Sequence, residues 1–201
     1  YGLCRLYVLL YRLHIALKGG VNMENTCCFT GHRPQSLPWR FREEDPRCRA
    51  LKDRLRKQIV RAVRERGVER FLSGMALGVD TWAAEAVLEL GKRYPIALEC
   101  VLPCAEQTAR WGQAARQRYE DILARCDKVT LLQQRYTADC FEKRNRAMVE
   151  RSGLVIAVWD GSPSGTGNTV AYAKRCGREV WILEPVAPPA FPFWRRDKKQ
   201  G

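Results

Sequence analysis

Residues 154–159, Leu-Val-Ile-Ala-Val-Trp, form an unbroken apolar run that stops at Asp160-Gly161. No polar residue alternates within it, so the run predicts a strand covered on both faces, as in a parallel sheet held between two helical layers. Parallel neighbours need long crossovers, usually helical ones. The rest of the chain supplies them: strand-like segments at 26–30, 70–74, 96–102, 128–132 and 179–183 alternate with helical periodicity at 47–66, 79–93, 105–125, 139–151 and 170–176. Gly67, Pro95, Pro103 and Gly177 punctuate the changes, and Pro34, Pro38 and Pro46 mark a long loop after the first strand. The expected fold is α/β, a single domain with a mostly parallel six-stranded sheet and helices on both faces. Right-handed crossovers then gather every strand's C-terminal end on one edge, where such sheets bind ligands.

The 201 residues suit one domain, and 35 Lys plus Arg against 22 Asp plus Glu give a net charge of +13. Setting aside the basic residues at 5, 12 and 18 and the charged residues at 195–199 leaves 28 basic against 21 acidic. That modest excess suits a phosphate-bearing ligand, a nucleic acid or solubility. Nine cysteines contain no Cys-x-x-Cys pair and are joined by only two histidines, a poor pattern for zinc. Cys27, Cys28 and Cys100 fall in strand-like runs as small buried hydrophobes, consistent with a reducing cytoplasm, while Cys104 is the thiol placed to approach a ligand. The apolar run at 6–11 is far below the ~20 residues of a membrane span. Residues 1–22 are expected to be a translated leader ahead of Met23, or else a loosely attached amphipathic helix. Residues 23–185 are expected to form the domain and 186–201 an irregular basic tail.

Three loops are predicted on the ligand edge. In Thr30-Gly31-His32-Arg33-Pro34, Thr30 and the Gly31 amide suit phosphate or ribose oxygens, and Arg33 offers a planar fork for two phosphate oxygens. A plain strand end with a solvated arginine and a capping His32 stands equally beside that reading, and no partner is visible to make His32 a base. In the second loop, Ser73 to Thr81, Gly74 and Gly78 allow positive φ and close ligand approach at a helix start, and Asp80 presents a carboxylate to a sugar hydroxyl. Its plainer reading is a turn at Gly74 with Asp80 or Thr81 as a helix cap. The third loop follows Asp160 and brings Gly161, Gly165 and Gly167 together with the hydroxyls of Ser162, Ser164, Thr166 and Thr169 and the amide of Asn168. Three glycines and four hydroxyls at a helix start resemble a phosphate cradle more than an ordinary turn. Lys143, Arg144 and Asn145 form a weaker group, read first as the solvated face of a helix. Neither Gly-x-x-x-x-Gly-Lys-Ser/Thr nor Gly-x-Gly-x-x-Gly is present, which removes support from ATP hydrolysis and conventional hydride transfer.

Phe-Thr-Gly-His-Arg-Pro at 29–34, Ser-Gly-Met-Ala-Leu-Gly-Val-Asp-Thr-Trp at 73–82, Lys-Arg-Asn-Arg-Ala-Met-Val-Glu at 143–150 and Trp-Asp-Gly-Ser-Pro-Ser-Gly-Thr-Gly-Asn-Thr at 159–169 together resemble the YpsA-like branch of the SLOG superfamily. That superfamily includes DprA/Smf DNA-uptake proteins and LOG cytokinin-activating hydrolases. The resemblance implies a Rossmann-like domain for a nucleotide or nucleotide-derived ligand, NAD or ADP-ribose in type. It matches Gly78 and Asp80 to a Gly-x-Asp/Glu signature, and Gly165 and Thr166 to a second phosphate-binding turn. LOG-type sites resemble Pro-Gly-Gly-x-Gly-Thr-x-x-Glu, whereas here Gly167 and Asn168 follow and Thr169 stands at the glutamate position. A hydroxyl cannot serve as general acid or stabilise an oxocarbenium-like centre as a carboxylate does.

The first functional reading is thus a cytoplasmic sensor or regulator that binds such a ligand and holds no metal. A hydrolase of an N-glycosidic or phosphoester bond, with Asp80 as its catalytic carboxylate, comes second. Single-stranded DNA binding through Arg54, Lys57, Arg61 and Arg64 comes third, because no aromatic platform accompanies that helix. A homo-oligomer is compatible with all three, and none calls for a membrane.

Overall fold

Every strand pairing in the computed structural model is parallel, and the six strands run in the order β4-β3-β2-β1-β5-β6. The structure describes residues 22–186; the expectations for the leader at 1–21 and the basic tail at 187–201 lie outside them. The strands are β1 (Thr26–Gly31), β2 (Arg70–Ser73), β3 (Ala97–Leu102), β4 (Lys128–Leu131), β5 (Leu154–Val158) and β6 (Glu179–Leu183). Between them lie α1 (Pro46–Arg66), α2 (Val79–Leu90), α3 (Gln113–Leu123), α4 (Cys140–Glu150) and α5 (Gly165–Arg175), with a short 3-10 turn at Pro34–Ser36. The chain steps outward from β1 to β4, then returns to the other side of β1 for β5 and β6. That reversal leaves a crevice between the C-terminal ends of β1 and β5, the switch point of a Rossmann-like sheet.

Alternation along the strands divides the core in two. Cys27 and Phe29 of β1 face α1, α2 and α3 together with Phe71, Leu98 and Ile156, while Cys28, Leu72, Val101 and Val155 face Met148 and Val149 of α4 and Ala173 of α5. Both faces of β5 are buried, as its apolar run requires. The first helix is set by local chemistry at each end. Asp45 caps it through the Arg47 amide, Pro46 occupies its first position, and Gly67 ends it at φ 59°. The loop ahead of α1 is anchored as well: Trp39 is fully buried, and Arg118 of α3 joins Glu43 to Glu85 of α2 at 2.6 Å each.

Two helix starts differ from expectation. The third helix begins at Gln113 and not near 105, because 105–110 form turns and Gly112 is extended at φ −66°, ψ 160°. The fifth begins at Gly165, five residues before the expected 170, because the Ser164 hydroxyl accepts from the Gly167 amide and nucleates the first turn. The glycine-rich segment read as an extended cradle is therefore divided, its second half being the helix start itself.

Candidate functional site

All helix N-termini lie on the C-terminal edge of this parallel sheet, and those of α2 and α5 flank the end of β1. Thr30, Gly31 and His32 carry the chain out of β1, the His32 amide still donating to the Val158 carbonyl at 3.3 Å. His32 is buried and its Nε2 lies 2.9 Å from Asp160 Oδ1. The same oxygen accepts from the Ser162 amide at 3.0 Å and hydroxyl at 2.6 Å. Ser162 first, and then His32, hold the Asp160 carboxyl well below the ordinary carboxylate range. His32 and Asp160, 128 residues apart, thus tie the first loop to the third; the partner for His32 was not legible in the sequence.

The second loop is closed on itself. Ser73 Oγ donates to the Asp80 carbonyl at 2.8 Å and accepts from the Met75 amide at 3.2 Å, and Thr81 Oγ1 donates to the Ala76 carbonyl at 2.8 Å. The positive φ angles fall at Met75 (56°) and Gly78 (92°), so Gly74, expected to use that freedom, does not. A Cβ at Gly74 would instead run into the Arg144 guanidinium, which donates to the Gly74 carbonyl. A Cβ at Gly31 would lie 2.5 Å from Val79 Cγ1, and one at Gly78 2.9 Å from Pro34 Cδ. These three glycines let the elements of the site touch.

Arg144 corrects a second expectation, since it is only 3% exposed and not on a solvated face. Cys140, Arg144 and Met148 recur at intervals of four, the spacing of one helical stripe, and all three are buried. Arg144 NH1 lies 3.8 Å from Asp80 Oδ2, which also accepts from the Ala76 amide at 3.4 Å. Burial pushes the Asp80 carboxyl up, opposed by Arg144, the Ala76 amide and Arg33; burial likewise pulls Arg144 down, opposed by Asp80. From Arg144 the polar chain continues: its Nε donates to Asn145 Oδ1 (2.8 Å), Asn145 Nδ2 to Thr169 Oγ1 (3.0 Å), and Thr169 Oγ1 to the Gly165 carbonyl (2.8 Å). Thr169 therefore links α4 to the first turn of α5. Lys143 remains exposed, paired with Asp139.

The first-turn amides of Val79, Asp80 and Thr81 in α2, and of Gly165 and Thr166 in α5, find no acceptor among the described residues. Two positive helix ends with unspent donors thus face one edge. A cavity of about 400 Å³ lies between α4 and α5, walled by Phe141, Asn145, Gly165, Asn168, Thr169 and Tyr172. A second, of about 340 Å³, is walled by Arg33, Ala76, Leu77, Gln107, Trp111 and Phe141. Phe141 lines both, and the Arg33 guanidinium lies 5.0 Å from its ring centroid. Gly161 turns the third loop at φ 88°. Thr166 is buried at the start of α5. Cys104 is fully buried and walls neither cavity. Sequence reasoning missed Gln107, Trp111 and Phe141. Trp111 falls within the span 105–125 expected to be helical, but Gly112 breaks that helix just after it, and this glycine was the signal available.

Among the described residues, no group of three or more His, Cys, Asp or Glu side chains could hold a metal ion, and no helix is long and apolar enough to cross a membrane. A doubly wound parallel sheet with its polar loops collected at the switch point defines the Rossmann-like class. Within it, the chain belongs to the YpsA family of SLOG proteins: the family model described as YspA SLOG family matches residues 27–179. A UPF0398 protein of Bacillus pumilus (strain SAFR-032) is 32% identical over 140 residues, covering 68% of this chain and 74% of that protein. A UPF0398 protein of Bacillus thuringiensis (strain Al Hakam) is 30% identical over 154 residues, covering 75% and 83%. Among solved structures, DNA processing protein A from Helicobacter pylori, described for its single-stranded DNA binding mode, superposes with a TM-score of 0.56 at 17% identity. The match covers 81% of this chain and 66% of that one, and it establishes a shared fold.

Proposed function

We propose that the protein binds a phosphate-bearing nucleotide or nucleotide-derived ligand, NAD or ADP-ribose in type, over the crevice between β1 and β5, and acts as a sensor or regulator. The observation that carries this reading is the pair of helix N-termini, α2 and α5, on either side of Gly31, where the amides of Val79, Asp80, Thr81, Gly165 and Thr166 find no acceptor among the described residues. Arg33 adds a cation with no hydrogen bond or ion pair to described residues through its side chain. In this reading Thr30, Gly31, Gly78, Gly165, Thr166, Gly167 and Asn168 approach phosphate and ribose oxygens, and the His32–Asp160 and Arg144–Asn145–Thr169 links hold the loops in place. The burial and internal partners of Asp80 favour a part in shaping the loop over one as general acid or base.

A second reading, single-stranded DNA binding, is favoured by the fold shared with a protein described as binding it. It draws on the rim of Arg33, Trp111 and Phe141 in preference to α1. There, Arg54 is held by the Glu184 and Pro185 carbonyls, Arg61 by Glu65, and Arg64 by the Tyr94 hydroxyl. Thermal unfolding with ADP, ADP-ribose, NAD and single-stranded oligonucleotides tests both. A ligand at a hundred times its Kd adds about 2.7 kcal/mol of stability. We expect an adenosine diphosphate compound to raise Tm; stabilisation by oligonucleotides alone would replace the first reading with the second.

A further inference from the structure

The wall of the cavity beside the start of α2 includes Gln107, a side chain with a polar atom that has no partner among the described residues. Gln107 is 8% exposed, and its Nε2 donates to the Gly74 carbonyl at 3.1 Å and the Met75 carbonyl at 2.8 Å. Those two bonds fix the amide so that Nε2 faces the loop. Its Oε1 is buried and has no partner among the described residues. A buried acceptor left unpaired costs roughly 1–3 kcal/mol, and beside a cavity a donor on a bound molecule would relieve that cost. The neighbouring walls are aromatic. Trp111 is half-buried and held edge-on to Tyr119 at 5.6 Å between centroids, and Phe141 stands in the wall beside Arg33. Ala76 and Leu77, also in the wall, lead directly into Gly78 and the unpartnered amides of α2.

We propose that this cavity is a nucleobase subsite, in which Trp111 and Phe141 provide stacking faces, Gln107 Oε1 accepts from an N–H of the base, and Arg33 with the α2 amides takes the adjoining phosphate. The inference rests on the phosphate-site reading above and adds the base to it. The same chemistry arrives on a free nucleotide or on a single strand, and the two sources are separable. Because Gln107 also holds the loop, the decisive change is made in the ligand.

The test is titration calorimetry of the full chain with ADP, purine riboside 5′-diphosphate (which lacks the amino group), inorganic pyrophosphate and a single-stranded dA decamer, each against wild type and Trp111→Ala. The expected result is that ADP binds about tenfold more tightly than the purine analogue. Trp111→Ala should weaken ADP by about tenfold, the scale of one lost base–aromatic stack, and leave pyrophosphate unchanged. Equal affinity for ADP and pyrophosphate in the wild type overturns the base subsite while leaving the phosphate site standing. Binding of the decamer but not ADP, with loss in Trp111→Ala, keeps the subsite and assigns it to a strand; decamer binding indifferent to that substitution removes it. No binding by any of the four overturns the subsite and the phosphate site together.

Discussion

The entrances to α2 and α5 are both glycine-bearing helix starts on the same sheet edge, yet they are built in opposite ways. At α2, the space a side chain would need at Gly74 and Gly78 is already taken by Arg144 and Pro34, and the loop's carbonyls are held by Gln107 and Arg144. At α5, a Cβ on Gly161 or Gly165 would meet nothing within 4 Å. Nor does Gly165 need positive φ. Packing accounts for Gly74, and packing with positive φ for Gly78; at Gly165 neither packing nor backbone conformation calls for a glycine, and the space beside it stays open, as the proposed ligand site needs. Similar glycine patterns can therefore encode a scaffold in one loop and an opening in another.

The largest effect is expected where the closed entrance is cut from its support. Arg144→Met leaves Asp80 buried without its cation and should lower stability by about 3 kcal/mol in urea unfolding. A loss below about 1 kcal/mol would show that the closed loop stands without the pair. Next, Gly31→Ala drives a methyl group into Val79 and should cost about 1–3 kcal/mol. Gly165→Ala, by contrast, should change stability by no more than about 0.5 kcal/mol. It should nevertheless weaken ADP by about tenfold, or 1.4 kcal/mol. If Gly165→Ala leaves ligand affinity intact, the contrast between scaffold and opening fails.

The smallest effect is electrostatic. Carbon-detected titration of the carboxyl groups should place Asp160 below the ordinary aspartate value and Asp80 above it. For Asp160, with its folded value depressed, the contribution to stability is present above the unfolded value and fades as pH falls through the folded one. For Asp80, with its folded value raised, the contribution is present below the unfolded value and is lost as pH rises through the folded one. Shifts of the same sign would mean that the two entrances share one environment.

Much of the scaffold was legible in the sequence because apolar strands and their glycine or proline stops are local signals. Strand β6 (Glu179–Leu183) matches its expected bounds, and β5 (Leu154–Val158) differs only at Trp159. Helix starts were harder to read. Ser164 as a cap competes with the loop-like look of glycines and hydroxyls, and Gly112 interrupts a periodicity that runs on either side of it. The Arg144–Asp80 and His32–Asp160 pairings depend on strand order, since each joins elements that meet only when β5 returns beside β1. Arg144 itself was within reach, because a four-residue stripe with Cys140 and Met148 places a charge on an apolar face.

Phe141 walls both cavities, so a single aromatic ring borders the two. Were a ligand in one chamber to shift this ring, the room left in the other would change with it. Occupancy of the two would then be linked through a single torsion, and any such coupling is reciprocal: each ligand shifts the other's affinity by the same factor.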